Sequence, residues 1–205
     1  MQAGLAVPFF PADMRLDADA FAVLGVGSAL GRQVAHALRQ FGARVWCCDR
    51  QVSEAQSVAF EVKGRALACD PAAQPRHDGW DGEVLRGVVD VLDDERLRML
   101  DRQGAHIALA ASLGMAREAT GGEGVLVLAA STGDPARAEA LHGVVDELTE
   151  ELAEYGLRVH GIVVPPESTQ AGGGMIAFLC ARLGRALHSQ VLRVDAPESG
   201  EGERA

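Results

Sequence analysis

The chain has 205 residues, 48% of them hydrophobic, which suits one α/β domain with a buried central sheet and excludes wholesale disorder. Its formal net charge of −10 argues against a nucleic-acid surface, which needs clustered Lys and Arg. No apolar run is long enough to span a bilayer and no basic leader precedes one, so neither a membrane span nor a secretory signal is expected.

The cysteines are Cys47, Cys48, Cys69 and Cys180. None forms C-x-x-C, and adjacent Cys47 and Cys48 would point to opposite faces of a strand. They read as reduced core residues of a cytoplasmic protein. The histidines show no paired metal spacing, so no metal site is expected.

In chain order, Met1 to Asp19 is a lead-in containing Pro and Phe. Phe21 to Leu24 is a short apolar run that suits a buried parallel strand. Gly25-Val26-Gly27-Ser28-Ala29-Leu30-Gly31 follows at once. Apolar residues then recur at Leu30, Val34, Ala37, Leu38 and Phe41, which is helical spacing. Gly42 fits the left-handed position that ends a helix. Ala43 to Cys48 is a second strand, closed by Asp49-Arg50.

A strand–glycine turn–helix–strand unit has a defined physics. Glycines let the backbone turn tightly and approach a pyrophosphate, and the helix N-terminus faces the phosphates with unpaired N–H groups. An acid ending the second strand can bind the adenosine ribose hydroxyls. Asp49, 24 residues after Gly25, is placed for that role. The alternative is that the turn only packs the helix against the sheet.

Val52 to Val62 reads as a short helix or turn, and Arg65 to Cys69 as a third strand ended by Asp70. Pro71 to Gly82 is polar and too short for a full helix, so a shortened crossover is expected. Val84 to Val91 is the candidate fourth strand. Asp93 to Leu100 is a short helix with acids in its first turn. Ala105 to Ala119 is helical and ends at Gly121-Gly122. Gly124 to Ala130 is a buried strand. Asp134-Pro135 starts a helix that runs to about Tyr155, with the stripe Leu141, Val144, Val145, Leu148, Leu152 and Tyr155. Leu157 to Val164 is a strand, Met175 to Leu183 a helix, and Gln190 to Val194 the final strand. The tail, residues 196–205, reads as mobile. Strands alternating with helices imply a doubly wound, Rossmann-like parallel sheet in a three-layer α/β/α sandwich, one domain with its core at about 16–195.

Gly25, Ala29 and Gly31 resemble the T-G-x-x-x-G-x-G turn of the short-chain dehydrogenase/reductase family, with Leu24 for its Thr and Ala29 for its middle Gly. Leu16-Asp17 resembles the residues before the family's first strand. Gly124 to Ser131 resembles its fifth strand, Leu148 to Val159 the end of its long helix and start of its sixth strand, and Gln190 to Asp195 its closing strand. The resemblance therefore runs from Leu16 to Asp195. It implies that Gly25, Gly27, Ser28, Leu30, Gly31, Asp49 and Asp70 are the cofactor-binding positions, Asp70 meeting the adenine amino group. Asp70 alternatively is a turn residue before Pro71. The implied cofactor is NAD, held weakly by the adenosine half of the site alone, or none.

The family's chemistry uses a Tyr as general acid/base, a Lys four residues on that lowers its pKa, a Ser that orients the carbonyl and an Asn that supports a water relay. A phenol is a poor base at neutral pH without a nearby cation. This chain has one Tyr, Tyr155, and one Lys, Lys63, in the wrong order. Counting along the resemblance, the family's Tyr, Lys, Ser and Asn fall at Asp134, Ala138, Ser131 and Gln103. Its N-N-A-G segment after the fourth strand falls near Gly87 to Asp90. After the sixth strand, Val164-Pro165-Pro166 replaces Pro-Gly, and Glu167 to Gly174 is too short for a substrate lid. Catalytic residues are therefore expected to be absent, with Gln103, Ser131, Asp134 and Ala138 as degenerate positions.

A Ser131–Asp134–His142 triad fails on spacing, because His142 lies about 12 Å along the helix axis from Asp134. Ser131 and Thr132 more simply satisfy backbone groups at a strand end. The acids Glu139, Asp146, Glu147, Glu150, Glu151 and Glu154 form a solvated helix face or a docking face for a basic partner.

The resemblance implies a catalytically degenerate subunit that partners an active homologous dehydrogenase, or itself, through helices 105–119 and 135–155 and segment 175–194. Two alternatives are an NAD(H)-binding sensor or structural module, and an oxidoreductase with a non-standard catalytic set.

Overall fold

The computed structural model describes residues 15–17, 19–70, 83–103, 105–119, 124–181, 184, 187 and 190–194. The expectations for the lead-in up to residue 14, the crossover 71–82, the Gly121-Gly122 helix stop and the tail from 195 lie outside the described residues.

Seven parallel strands form one sheet. They are β1 (Ala20–Leu24), β2 (Arg44–Asp49), β3 (Arg65–Ala68), β4 (Gly87–Leu92), β5 (Val125–Ser131), β6 (Arg158–Val164) and β7 (Val191–Arg193). Their order is β3-β2-β1-β4-β5-β6-β7. The connections are helical: α1 (Ala29–Gln40), α2 (Val52–Val62), α3 (Asp94–Gln103), α4 (Ala105–Ala108), α5 (Ala110–Ala119), α6 (Pro135–Ala153) and α7 (Thr169–Cys180). This is the doubly wound, Rossmann-like α/β fold.

Side-chain alternation along the strands sets the three layers. Ala20, Ala22, Leu24, Val88, Leu126 and Leu128 face one side, where they pack with residues of α3, α5 and α6. Phe21, Val23, Val89, Val125, Val127 and Ile162 face the other, against α1, α2 and α7. With both faces covered, β1 and β4 are buried along their whole length, so β1 reads as a continuous apolar run and β4 as one broken only by Asp90. Each large side chain so buried contributes roughly 1.5–3 kcal/mol.

Caps explain several boundaries. Ser28 caps α1, its Oγ accepting the Gly31 N–H at 3.0 Å. Asp134 caps α6, its Oδ1 accepting the Ala136 N–H at 3.0 Å, with Pro135 in the first turn. Segment 52–62 is an α-helix of 11 residues rather than a turn.

Three expectations are corrected. The last helix starts at Thr169, not Met175, so most of Glu167 to Gly174 is helical rather than a spacer. Its glycines are packing residues. A Cβ on Gly172 would meet Val164 side-chain carbon at 2.6 Å, and one on Gly173 would meet Gln33 backbone at 2.9 Å. Small residues there let α7 lie directly on β6 and α1. The segment 105–119 is two helices, interrupted by a turn at Leu109. Finally, Gly87 to Asp90 opens β4 instead of following it, and Asp90 lies level with Leu24 of β1. The residues at the C-terminal end of β4 are Val91, Leu92 and Asp93.

Candidate functional site

The sheet order reverses between β1 and β4, and ligands of doubly wound sheets bind at such a switch point, beyond the strands' C-terminal ends. A cleft of about 340 Å³ lies there. It is lined by Gly25, Gly27, Ser28, Asp49, Arg50, Gln51, Glu54, Val91, Asp93 and Arg96.

The glycine turn shapes one wall. Gly25 has φ +76°, and a Cβ there would lie 2.6 Å from the Val91 carbonyl oxygen, so only glycine fits between β1 and β4. A Cβ at Gly31 would collide with the Gly25 carbonyl oxygen, which makes the third glycine of the turn a packing requirement. Ser28 Oγ donates to the Gly25 carbonyl at 2.8 Å and so ties the turn to the helix cap.

Asp49 closes β2 and faces the turn. Its Oδ2 accepts the Gly27 N–H at 2.9 Å, and its Oδ1 accepts the Gln51 N–H at 3.0 Å. Each carboxylate oxygen keeps a further lone pair, so the group can still accept from a ligand hydroxyl. Glu54, in the first turn of α2, lies beside Gly27 and pairs with Arg32 at 3.5 Å.

The opposite wall is built on a buried ion pair. Asp90 and Arg96 are 0% and 2% exposed. The guanidinium grips both carboxylate oxygens at 2.5 Å. Its Nε and Nη2 also donate to the Ala108 carbonyl at 3.1 and 2.9 Å, where the α4–α5 break frees that oxygen. Burial pulls the Arg96 pKa down, and the adjoining Asp90 carboxylate outweighs it and holds it up. Asp93 Oδ1 accepts the Arg96 N–H at 2.8 Å, which caps α3 and places a carboxylate on the cleft wall.

The sequence-derived site residues divide clearly. Gly25, Gly27, Ser28 and Asp49 line the cleft together. Leu30 is 1% exposed and packs in the core beneath α1. Gly31 supports the turn from behind. Asp70 does not line the cleft. It lies on the surface past β3, with Arg50 at 3.5 Å. Sequence reasoning missed Arg50, Gln51, Glu54, Val91, Asp93 and Arg96. Asp93, three residues before Arg96, carried a readable cap signal, whereas the Asp90–Arg96 pairing carried none.

The degenerate catalytic positions do not converge. Ser131 is the half-buried last residue of β5. Thr132 donates its N–H to the Val164 carbonyl at 3.0 Å, and its Oγ1 accepts the Asp134 N–H at 3.0 Å. Asp134 is a helix cap, and Ala138 is a buried core residue of α6. His142 stands exposed on α6. Gln103 ends α3, and its side chain is outside the described residues.

Tyr155 lies in the turn that enters β6, and Lys63 in the turn that enters β3. Both sit at N-terminal strand ends, the edge of the sheet away from the cleft. For Tyr155 the distance along seven-residue β6 is roughly 20 Å. Tyr155 is 41% exposed beyond the end of α6, with Arg117 stacked 5.5 Å from its ring centroid, so it does not continue the buried stripe. The cysteines offer no nucleophile. All four are free and buried, and burial pushes Cys47 and Cys180 up to about 12 and Cys69 to about 11. Among the described residues no His/Cys/Asp/Glu group could hold a metal ion, and no helix is long and apolar enough to cross a membrane.

A dinucleotide would find half of its site. The glycine turn, the start of α1 and Asp49 fit an adenosine ribose and its phosphate. On the β4 side the cleft's described lining includes no residue of β5 or β6 and presents the carboxylate of Asp93.

No protein-family model and no curated protein matches the sequence. Solved structures do resemble the fold. A hydroxysteroid dehydrogenase from Escherichia coli aligns with TM-score 0.70 at 17% identity, covering 89% of this chain and 97% of that one. A 7α-hydroxysteroid dehydrogenase complexed with NADH and 7-oxo glycochenodeoxycholic acid aligns with TM-score 0.72 at 18% identity, covering 95% and 98%. A short-chain type dehydrogenase/reductase from Mycobacterium marinum aligns with TM-score 0.70 at 16% identity, covering 89% and 96%. The chain has the fold of short-chain dehydrogenases.

Proposed function

We propose that this chain is a catalytically degenerate member of the short-chain dehydrogenase/reductase family, a non-catalytic subunit that partners an active homologous dehydrogenase. One observation carries the reading. The phenol and the ammonium sit at the strands' N-terminal edge, while the positions where the family's pair would fall are a helix cap and a core alanine. A fold for hydride chemistry is kept without the phenol–ammonium pair among the described residues that line its cleft.

The partner surface of this reading comprises helices 105–119 and 135–155 and segment 175–194. The exposed side of α6 carries Glu139, Asp146, Glu147, Glu150 and Glu154. Like charges would oppose a second copy presenting the same face, and a basic homologous face would complement it. Expression alone is to be compared with co-expression beside candidate dehydrogenases from the same genome. The expected result is a stable complex whose partner loses activity or solubility without this chain. Absence of any complex with unchanged partner activity overturns the reading, as does turnover of an alcohol or carbonyl by the isolated chain with a nicotinamide cofactor.

The pairing of Asp49 with the glycine turn favours a second reading, an NAD(H)-binding module without turnover. Calorimetric titration with NADH tests it, submillimolar binding supporting it and none up to several millimolar excluding it.

A further inference from the structure

The half-fit of the cleft has a structural cause in the Asp90–Arg96 pair. A dinucleotide in a doubly wound sheet straddles the switch point, one nucleoside over β1 and β2 and the other over β4 and its outer neighbours. Here the cleft's described lining comes from the ends of β1, β2 and β4 and the first turns of α2 and α3, with Arg96 on the β4 side. That side chain is not free to swing away. It is 2% exposed, gripped by both oxygens of Asp90 and tied to the Ala108 carbonyl. Moving it would strand a buried carboxylate.

The charges point the same way. The end wall adds no free cation, because Asp90 neutralises Arg96, and Asp93 presents a carboxylate beside it. A second phosphoribose running past β4 would meet that carboxylate. At the other end, Asp49 offers acceptor lone pairs suited to a ribose diol, and the first turn of α1 contains no acid to repel a phosphate.

We infer that the cleft recognises one ribonucleoside 5′-phosphate or diphosphate and adds no favourable contact to the second nucleoside of a dinucleotide, recognition stopping at the side formed by Asp93 and Arg96. This rests on the reading that the glycine turn and Asp49 retain the adenosine half of a cofactor site. Arg96 and Asp93 are then specificity residues that shorten the recognised part of the ligand.

The experiment is calorimetric titration of the full chain with ADP and NADH. The two are expected to bind with dissociation constants within about threefold of each other, to compete one for one, and to be weakened alike by Asp49→Ala. NADH binding more than about tenfold tighter than ADP overturns the inference while leaving the cofactor-site reading intact. Failure of both ADP and NADH to bind overturns the cofactor-site reading and the inference with it. ADP binding untouched by Asp49→Ala places the ligand elsewhere and overturns both.

Discussion

Asp49 and Gly27 are 22 residues apart in the chain and share a hydrogen bond of 2.9 Å, the carboxylate accepting the glycine N–H. The end of β2 is thereby fastened to the turn after β1, and Glu54 lies beside the same glycine. A ribose 2′-hydroxyl can donate into this site, whereas a 2′-phosphate would face two carboxylates. If the chain binds a nicotinamide cofactor, NADPH should bind at least about tenfold more weakly than NADH, by at least about 1.4 kcal/mol. Titrating both in one buffer of fixed ionic strength measures this, and equal affinities would contradict the role given to Asp49.

The Asp90–Arg96 pair predicts an asymmetric response to mutation. Asp90→Ala leaves a buried guanidinium without its counter-charge, and a loss of about 3–5 kcal/mol in unfolding free energy is expected. Replacing both partners by apolar residues of similar volume, Asp90→Leu with Arg96→Met, should recover most of that loss, less the cost of leaving the Ala108 carbonyl without a donor. Urea unfolding of wild type, each single variant and the double variant reads the coupling directly. Additive losses would mean that the two groups act independently.

The scaffold was legible because its signals are local and repeated. Apolar runs mark β1 and β5, the spacing Leu30–Val34–Leu38 marks α1, and Asp134-Pro135 marks the start of α6. Asp49 was legible for the same reason, since one strand length and one helix length fix its distance from Gly25. The remainder depends on pairings across the sheet. The stretch Gly172-Gly173-Gly174 has the composition of a linker, and only contact with Val164 and Gln33 makes it helix. Asp90 sits inside an apolar strand, and nothing nearby in sequence shows that Arg96 would fold back onto it. The cleft's end wall was therefore invisible, although both of its charged partners lie within seven residues of one another.

Lys63, the chain's single lysine, predicts a gain in stability when it is removed. It is the C-cap of α2 and has φ 54°, a left-handed conformation that opposes a side chain. The following residue is already Gly64, so the helix stops one residue before the position where glycine would relieve the strain. Lys63→Gly should raise unfolding free energy by up to about 1 kcal/mol, because relief of strain in the folded state outweighs the added freedom of the unfolded chain. Any binding by the cleft should be unaffected, since Lys63 lies at the other end of the strands. A shift in the urea midpoint without a change in its slope is the expected reading. A decrease in stability would show that the lysine side chain makes contacts that outweigh its backbone strain.

His160 sets the acid limit of the fold. It lies on β6, is 0% exposed, and neither ring nitrogen has a hydrogen-bond partner among the described residues. Burial, and then the nearby Arg158 charge, lower its pKa from 6.5 to about 4. The folded chain therefore holds the ring neutral where the unfolded chain binds a proton. Its contribution is fully present above pH 6.5 and is lost progressively as pH falls from there toward 4, on the order of 3 kcal/mol in total. His160→Leu removes the titrating group and keeps an apolar filling for the site. The variant should show a flatter stability profile across that window, measured by urea unfolding at half-unit pH steps. Carboxylates that titrate below about pH 4.5 leave the upper part of the window untouched, so the two profiles should separate between about pH 5 and 6.5. Parallel profiles there would mean that the ring is protonated in the folded chain and that β6 accommodates the charge.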